Sequence, residues 1–259
     1  MSIPPMWKVR RELRRAWIRT QVSIWLRLGR KTRISFHGLS VPIRRSGMTK
    51  GVLIQIARCD YEIPEIKGLQ RVVGLGDRVL ELGSGLGIVT ALTARAVGPD
   101  GKVLAFEANT DLITDTRNFL TEHGISNVEI RHAVLVPASS AGQPRQFHIG
   151  GSFPSSSLLA SDGHRIKGTI DVPAESVGKV IAEFRPDVLI CDIEGGEAEL
   201  IPALDARGLR AVVIEHHPHR VPQSDIDAIE QALARQGLHA SPEPLGGTVV
   251  LYLRVPPSS

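Results

Sequence analysis

Five titratable side chains at the ends of two apolar runs are the part of this sequence best equipped for chemistry. The run PDVLIC leads into Asp192, with Glu194 two residues on; the run AVVI leads into Glu215, His216 and His217. Carboxylates and imidazoles gathered together can take a proton from a reacting hydroxyl. Core filling does not account for them, because Asp and Glu are almost never fully buried unless paired. Asp192 with His216 is the expected proton-accepting pair, with Glu194 beside them and His217 next in rank. Glu197 is expected to cap the helix that follows, whose N-terminus favours negative charge.

A second group lies earlier. In VLELGSGLGIVT (79–90), Glu81, Gly83, Ser84, Gly85 and Gly87 follow directly on an apolar run. Glycines there let the backbone turn sharply and let a ligand approach without a Cβ in the way. The next run, KVLAFEAN, ends in Glu107 and Ala108, with Glu107 twenty positions beyond Gly87. An acid at that strand tip can accept hydrogen bonds from both hydroxyls of a ribose. Loop and acid together specify an adenosine-type ligand. The spacing is G-x-G-x-G rather than the dinucleotide G-x-G-x-x-G, and Glu81 would repel a pyrophosphate. It can instead face the ammonium of a methionine moiety, so S-adenosyl-L-methionine is the expected cofactor. Neither Tyr61 nor Tyr252 has a lysine four residues on, which removes the short-chain reductase pair. On the third run, NVEIRHAVL, His132 and Ala133 fall where adenine would be contacted.

These groups need elements to position them. Apolar runs at 78–82, 102–106, 128–134, 187–192 and 210–215 alternate with helical stretches near 87–97, 110–122, 174–183, 197–206 and 224–235. Strand, helix, strand at this spacing means βαβ units and a parallel sheet. Residues 238–254 read as two strands joined by a Pro/Gly-rich turn. The expectation is an α/β fold of the class I methyltransferase (Rossmann-like) kind, with a mainly parallel seven-stranded sheet ending in an antiparallel hairpin. Upstream, 32–44 reads as a hairpin turned at His37-Gly38, and 48–73 as two helical pieces broken near Pro64. Residues 138–163, rich in Ser and Gly, read as a long loop over one sheet edge.

The segment CDIEGGEAELI (191–201) resembles the D-x-E-G-x-E signature of FkbM-type methyltransferases. The resemblance extends through Tyr61-Glu62, the loop at 81–87, FEAN at 106–109, the serines at 155–157 and IEHHP at 214–218. It implies methyl transfer to hydroxyl oxygens of natural products and sugars, with Tyr61 joining the cofactor contacts. Two departures stand out: the loop reads ELGSGLG where members often carry D-x-G-A-N-x-G, and Ile190 occupies a position often held by lysine. No lysine base is therefore carried over. Transfer to nitrogen or carbon, or a non-catalytic cofactor-binding module docking through a basic arm, are the alternatives. A divalent metal held by Asp192, Glu215 and His216 is weighed but not favoured; the resemblance demands none.

The chain of 259 residues holds 42% hydrophobic residues, enough for a sizeable core. Its aromatic content of 4% argues against a binder of single-stranded nucleic acid, which stacks bases on such rings. Residues 1–50 hold 13 Lys/Arg and one acid, for +12, whereas the remainder holds 31 − 13 = 18 basic and 27 − 1 = 26 acidic residues, for −8. This basic arm holds every tryptophan, at 7, 17 and 25, and no uninterrupted apolar stretch of a secretory signal. At helical spacing Val9, Leu13, Trp17, Ile24 and Leu28 share one side. That side is expected to pack on the chain's own catalytic domain or on a second subunit, or to lie on an anionic membrane surface. The expected division is an arm with hairpin at 1–45 and a methyltransferase domain at 46–259. Cys59 and Cys191 form no pair and read as reduced core thiols of a cytoplasmic protein. The expected acceptor is a small hydroxylated molecule, with no nucleic acid partner.

Overall fold

The computed structural model describes residues 6–29, 31–150 and 166–255. The chain divides into two compact units, residues 1–63 and 64–259. The first therefore takes in residues 46–63 as well as the arm and hairpin.

In the first unit, helix α1 (Met6–Leu28) packs on α2 (Lys50–Arg58), with strands β1 (Arg33–Phe36) and β2 (Leu39–Pro42) between them in sequence. The hairpin pairs Phe36 with Leu39 across a two-residue turn. His37 and Gly38 both have positive φ, 47° and 75°. A turn with both central residues left-handed matches the twist of the flanking strands. Thr49 caps α2, its hydroxyl accepting from the Val52 amide at 3.2 Å. Cys59 ends the helix at φ 59° and is exposed, so it is no core thiol; a residue bending the chain out of a helix end has left the packed face. Cys191 is buried as expected.

The second unit opens with α3 (Ile63–Val72), which carries Pro64 at its start, where a missing amide costs no intrahelical bond. The chain break expected at Pro64 thus falls just before it. The elements that follow are β3 (Arg78–Leu82), α4 (Ile88–Val97), β4 (Lys102–Glu107), α5 (Thr110–Glu122) and β5 (Val128–His132). After these come β6 (Val134–Val136), β7 (Arg145–Gly150), β8 (Ile166–Val172), β9 (Ala174–Ser176), α6 (Val177–Phe184) and β10 (Val188–Cys191). The chain continues through α7 (Glu197–Leu200), β11 (Ala211–Glu215), α8 (Gln223–Ala234), β12 (Leu238–Ala240) and β13 (Val249–Arg254). Seven strands form one sheet in the order β12-β13-β11-β10-β3-β4-β5. The pairs from β11 to β5 are parallel; β13 runs antiparallel to both β11 and β12. The strand order reverses between β3 and β10, and in such sheets ligands bind at the carboxyl ends beside that switch point.

Three local expectations are corrected. Residues 145–150, within the expected loop, are strand β7, which forms an antiparallel ribbon with β8; Phe147, Ile149 and Ile170 gather on Ala108 and Val172. The serines at 155–157 lie outside the described residues. Residues 174–176 are strand rather than helix, because β9 pairs in parallel with β6 before Ser176 caps α6. The helix expected over 197–206 lasts one turn and continues as a 3₁₀ turn at Ile201–Ala203. Pro202 there has no amide to give and crowds the carbonyl four residues back.

The core follows the pleat. Leu80 and Leu82 of β3, Leu104 and Phe106 of β4, Leu189 and Cys191 of β10, and Val212 and Ile214 of β11 pack together in one buried cluster. Successive strand side chains point to opposite faces, so the intervening positions face the other side of the sheet. Glu81 lies among those positions. The same alternation places Glu107 and Glu215, the last residues of β4 and β11, there too, and, carried one residue past β10, Asp192.

Candidate active site

The glycine loop joins β3 to α4 along an unusual path. Gly83, Gly85 and Gly87 all have positive φ, 86°, 51° and 69°. A Cβ on Gly83 would sit 1.8 Å from the Asp192 carbonyl oxygen, and one on Gly87 would sit 2.2 Å from Thr116 Cγ2. The loop after β3 and the loop after β10 therefore touch backbone to backbone, which only glycine permits. Gly83 and Ser84 donate their amides to the Phe106 carbonyl at 3.0 and 3.2 Å, tying the turn to β4.

Two buried acids flank this loop. Glu81 is 2% exposed and accepts from the Thr90 hydroxyl at 3.0 Å. Burial lifts its carboxyl to about 8, with the nearby Glu107 charge pushing the same way against the Thr90 bond. Glu107 is also buried; its two oxygens accept from the Gly85 and Asn109 amides, both at 2.8 Å. Desolvation raises it above its ordinary range, and the backbone amides oppose that rise. Each of its oxygens keeps a second lone pair, so these amide bonds are compatible with a further hydroxyl donor. His132, at the end of β5 and paired in register with Glu107, donates from Nε2 to the Ala108 carbonyl at 3.0 Å. Ala108 and Ala133 are buried beside it. Tyr61 is buried in the first unit, edge-on to Phe36.

The second cluster lies beyond β10 and β11. Asp192 donates its amide to the Leu82 carbonyl at 3.0 Å. Next come Glu194 and Gly195, with φ of 55° and 103°. A non-glycine residue in the left-handed region is uncommon, costs of order 1 kcal/mol or more, and concentrates at ligand sites. Glu197 is 2% exposed and turns back to accept the Ile193 and Gly195 amides at 3.0 and 2.8 Å, so it secures the loop before α7. Glu197 thus ties down the preceding loop and does not cap α7, which has no side-chain cap bond; Glu194 meets Arg220, whose Nε lies 2.9 Å from its Oε2.

The histidines divide. His217 is buried, with Nε2 lying 3.4 Å from Asp192 Oδ1 and 3.5 Å from Glu194 Oε2, and Nδ1 lying 3.2 Å from Glu197 Oε1. Burial alone would lower its pKa, but the hydrogen bond to Glu197 and the charges of Glu197, Glu194 and Glu215 together raise it. Glu194 is itself raised, by desolvation first, although His217 and Arg220 oppose the rise. His216 points the other way: its Nε2 is 2.8 Å from the Tyr252 hydroxyl, and that hydroxyl also donates to Glu230. Burial lowers the His216 pKa. The expected Asp192–His216 pair is thus not brought together; the structure joins Asp192 and Glu194 to His217. The reason is strand parity, since 216 follows 212 and 214 into the core, where Tyr252 lies. His219 is exposed, and its ring lies edge-on to His217.

Sequence reasoning left out Arg220 and ranked His217 too low; the period of two through β11 was the signal for the second. Asp192, Glu215 and His217 each offer one ligand atom, all within 4.8 Å of one another. Two carboxylate oxygens and an imidazole nitrogen suit a divalent ion, with His217 standing where His216 was expected.

The loop residues fit an S-adenosylmethionine. Glu81 Oε2 and Ser84 Oγ are buried without a hydrogen-bond partner among the described residues, and an amino-acid moiety carries the donors and acceptors to meet both. Comparison with known proteins agrees. The model of the methyltransferase FkbM domain matches residues 85–239. A tRNA (adenine(58)-N(1))-methyltransferase catalytic subunit of Cryptococcus neoformans is 32% identical over 72 residues, 27% of this chain and 17% of that protein. Protein-L-isoaspartate O-methyltransferase 2 of Archaeoglobus fulgidus is 44% identical over 55 residues, 21% of this chain and 25% of that protein. The chain thus spans a quarter or less of the length of these relatives. Among solved structures, a precorrin-6y C5,15-methyltransferase from Geobacter metallireducens has a TM-score of 0.44 at 14% identity, covering 74% of this chain and 86% of its own. A ribosomal protein L11 methylase from Lactobacillus delbrueckii gives 0.43 at 15% identity, covering 73% and 74%. The match to the FkbM domain takes in more than half of the 259 residues, and the chain belongs to the FkbM family of S-adenosylmethionine-dependent methyltransferases.

Proposed function

We propose that this methyltransferase acts on a hydroxyl oxygen of a small-molecule, sugar or natural-product acceptor. The observation that carries the proposal is the proton-handling cluster of Asp192, Glu194 and His217, joined to the glycine loop through the Gly83–Asp192 contact. The cofactor supplies an electrophilic methyl on a sulfonium, and an in-line displacement asks the protein chiefly to position the acceptor. An alcohol must also lose its proton as the new C–O bond forms. Asp192, with a side chain 29% exposed, is the most open member of the cluster, and its carboxylate takes that proton. His217, 4% exposed behind it, bridges Asp192 and Glu194 and orients the carboxylate that receives the proton. Glu197 on its Nδ1 and Arg220 on Glu194 hold the arrangement. In the cofactor half, Glu81, Ser84 and the Gly83–Gly87 loop would hold the amino-acid moiety. Glu107 would hold the ribose, and Ala108, His132 and Ala133 the adenine.

The relatives' names span nitrogen, oxygen and arsenite transfer, so the acceptor atom is argued from the cluster and not inherited. The test is release of S-adenosylhomocysteine with a panel of hydroxylated acceptors, using Asp192→Asn, His217→Gln and His216→Gln separately. Asp192→Asn should lower kcat by about 10²- to 10⁴-fold while cofactor affinity, read by calorimetry, is kept. His216→Gln should leave kcat near wild type. Methylation confined to nitrogen or carbon acceptors, or an Asp192→Asn enzyme with full turnover, overturns the reading.

A further inference from the structure

Helix α1 has two apolar faces, and the chain buries one of them. Ile18 and Val22 are 5% and 0% exposed. Leu13, Trp17, Ile24 and Leu28, which helical spacing places on one side, are 64%, 61%, 39% and 59% exposed, and Met6 on that side is 69% exposed. At 100° per residue these five fall within about 60° of one another on the helix. Scattered exposed apolar residues are ordinary, but five large ones aligned along one helix mark an interaction face. The same helix carries seven cations, Lys8, Arg10, Arg11, Arg14, Arg15, Arg19 and Arg27, against the single acid Glu12, for 7 − 1 = +6. Glu12 is already engaged by Arg15 at 2.9 Å.

We propose that this exposed face of α1 docks on an anionic phospholipid surface, the helix lying in the plane of the interface. A narrow apolar stripe with Arg10 at its edge, Arg14 beyond that edge and Arg27 on the other side is the pattern of an interfacial helix, which sinks its apolar side to the acyl boundary and keeps its charges among headgroups. Among the described residues no helix is long and apolar enough to cross a membrane, so the contact is peripheral. Charge decides against the other occupants. A second copy of α1 would bring +6 against +6, and the stripe is broken as a coiled-coil seam by Arg10 and Thr20. A nucleic acid would use the cations but leave Leu13, Trp17 and Leu28 in water. The inference is independent of the acceptor assigned above.

The test is co-sedimentation of the full chain with phosphatidylcholine vesicles and with vesicles containing phosphatidylglycerol, at low and physiological salt. Binding should favour the anionic vesicles by at least about tenfold and weaken as salt rises. Replacing Arg10 and Arg14 together by Gln should lower partitioning by about 25-fold, taking roughly fivefold per cation near the surface. Trp17→Asp, at a solvent-facing position, should reduce it as strongly. S-adenosylhomocysteine affinity should stay at the wild-type value in both variants, which reports an intact fold. Equal binding to neutral vesicles, or no binding to anionic ones at low salt, overturns the proposal. So does a concentration-dependent dimer abolished by Trp17→Asp, or tight retention of single-stranded RNA that Trp17→Asp leaves unchanged.

Discussion

Replacing Glu81 by Gln should make the protein more stable, and increasingly so as the pH rises. In the unfolded chain this carboxyl titrates near 4.5, whereas in the folded protein burial lifts it to about 8. Between those values the native state holds a proton that the unfolded state has shed. Stability therefore declines with rising pH across that window, by about 1.4 kcal/mol per pH unit, and the deficit levels off above pH 8 at about 5 kcal/mol. Glutamine has nearly the same shape as the protonated acid, can still accept from Thr90, and carries no such linkage. His217 contributes a trend of the same sign, because its raised pKa gives stability that is full below its ordinary value of 6.5 and lost as pH passes the folded one. The difference between Glu81→Gln and wild type cancels that contribution. Urea unfolding at half-unit steps from pH 5 to 9 should show a gap that widens steadily from pH 5 and levels off above pH 8. A gap that stays flat, or that opens as the pH falls, refutes the claim that this carboxylate is held protonated by burial. The same group makes a second measurement available. Placing the cofactor's ammonium near Glu81 should ionise it, so calorimetric titrations at pH 7 in buffers of different ionisation enthalpy should report proton release, absent in Glu81→Gln.

Three further predictions rest on particular contacts. Gly83→Ala should abolish cofactor binding and cost more than about 3 kcal/mol, since the new methyl would overlap the Asp192 carbonyl; Gly124→Ala, at φ 65° with nothing within 4 Å, should cost only about 1–2 kcal/mol of backbone strain in the same denaturation assay. Tyr252→Phe removes the hydroxyl bonded to buried His216, leaving that nitrogen unpaired at a cost of about 1–3 kcal/mol; kcat should hold, because neither side chain faces Asp192. Treatment with a chelator should leave turnover unchanged if Asp192 acts as a free carboxylate, and a loss restored by magnesium would show that Asp192, Glu215 and His217 act as ligands.

Much of this molecule is legible before any coordinates. The apolar runs that carry Glu81, Glu107, Asp192 and Glu215 announce strands because short, near-continuous apolar stretches between helical segments suit a sheet buried on both faces, and β3, β4, β10 and β11 follow within a residue or so. The His37-Gly38 turn is equally plain, since few residues accept two consecutive left-handed positions. What escaped depends on contacts distant in sequence. Nothing local says that β9 would find β6, forty residues earlier, and so consume the first turn of an expected helix. Arg220 gains its meaning only by folding back onto Glu194. The exchange of His216 for His217 was legible in principle, because Val212 and Ile214 already set the parity of the strand. The apolar side of α1 was read correctly as a stripe, but helical spacing says only that five residues share a face; Ile18 and Val22 show that another face does the packing.

The placement of β13 between β11 and β12 also dictates an order of assembly. Strand β12 is synthesised first, yet among the described residues its one neighbour in the sheet is β13, and that pairing waits until residues 249–254 have emerged. Until then the outer edge of β11 is open along Ala211–Glu215, a short apolar edge of the kind that recruits other chains. The strand that carries Glu215 toward His217 is therefore among the last parts of the sheet to be closed. A nascent chain stalled before Val249 would hold the complete glycine loop and Asp192 while the edge beside them stayed unsealed. Nucleating the sheet and finishing the site are in this sense separate events, and the second waits on six residues synthesised more than thirty positions after the last of the cluster.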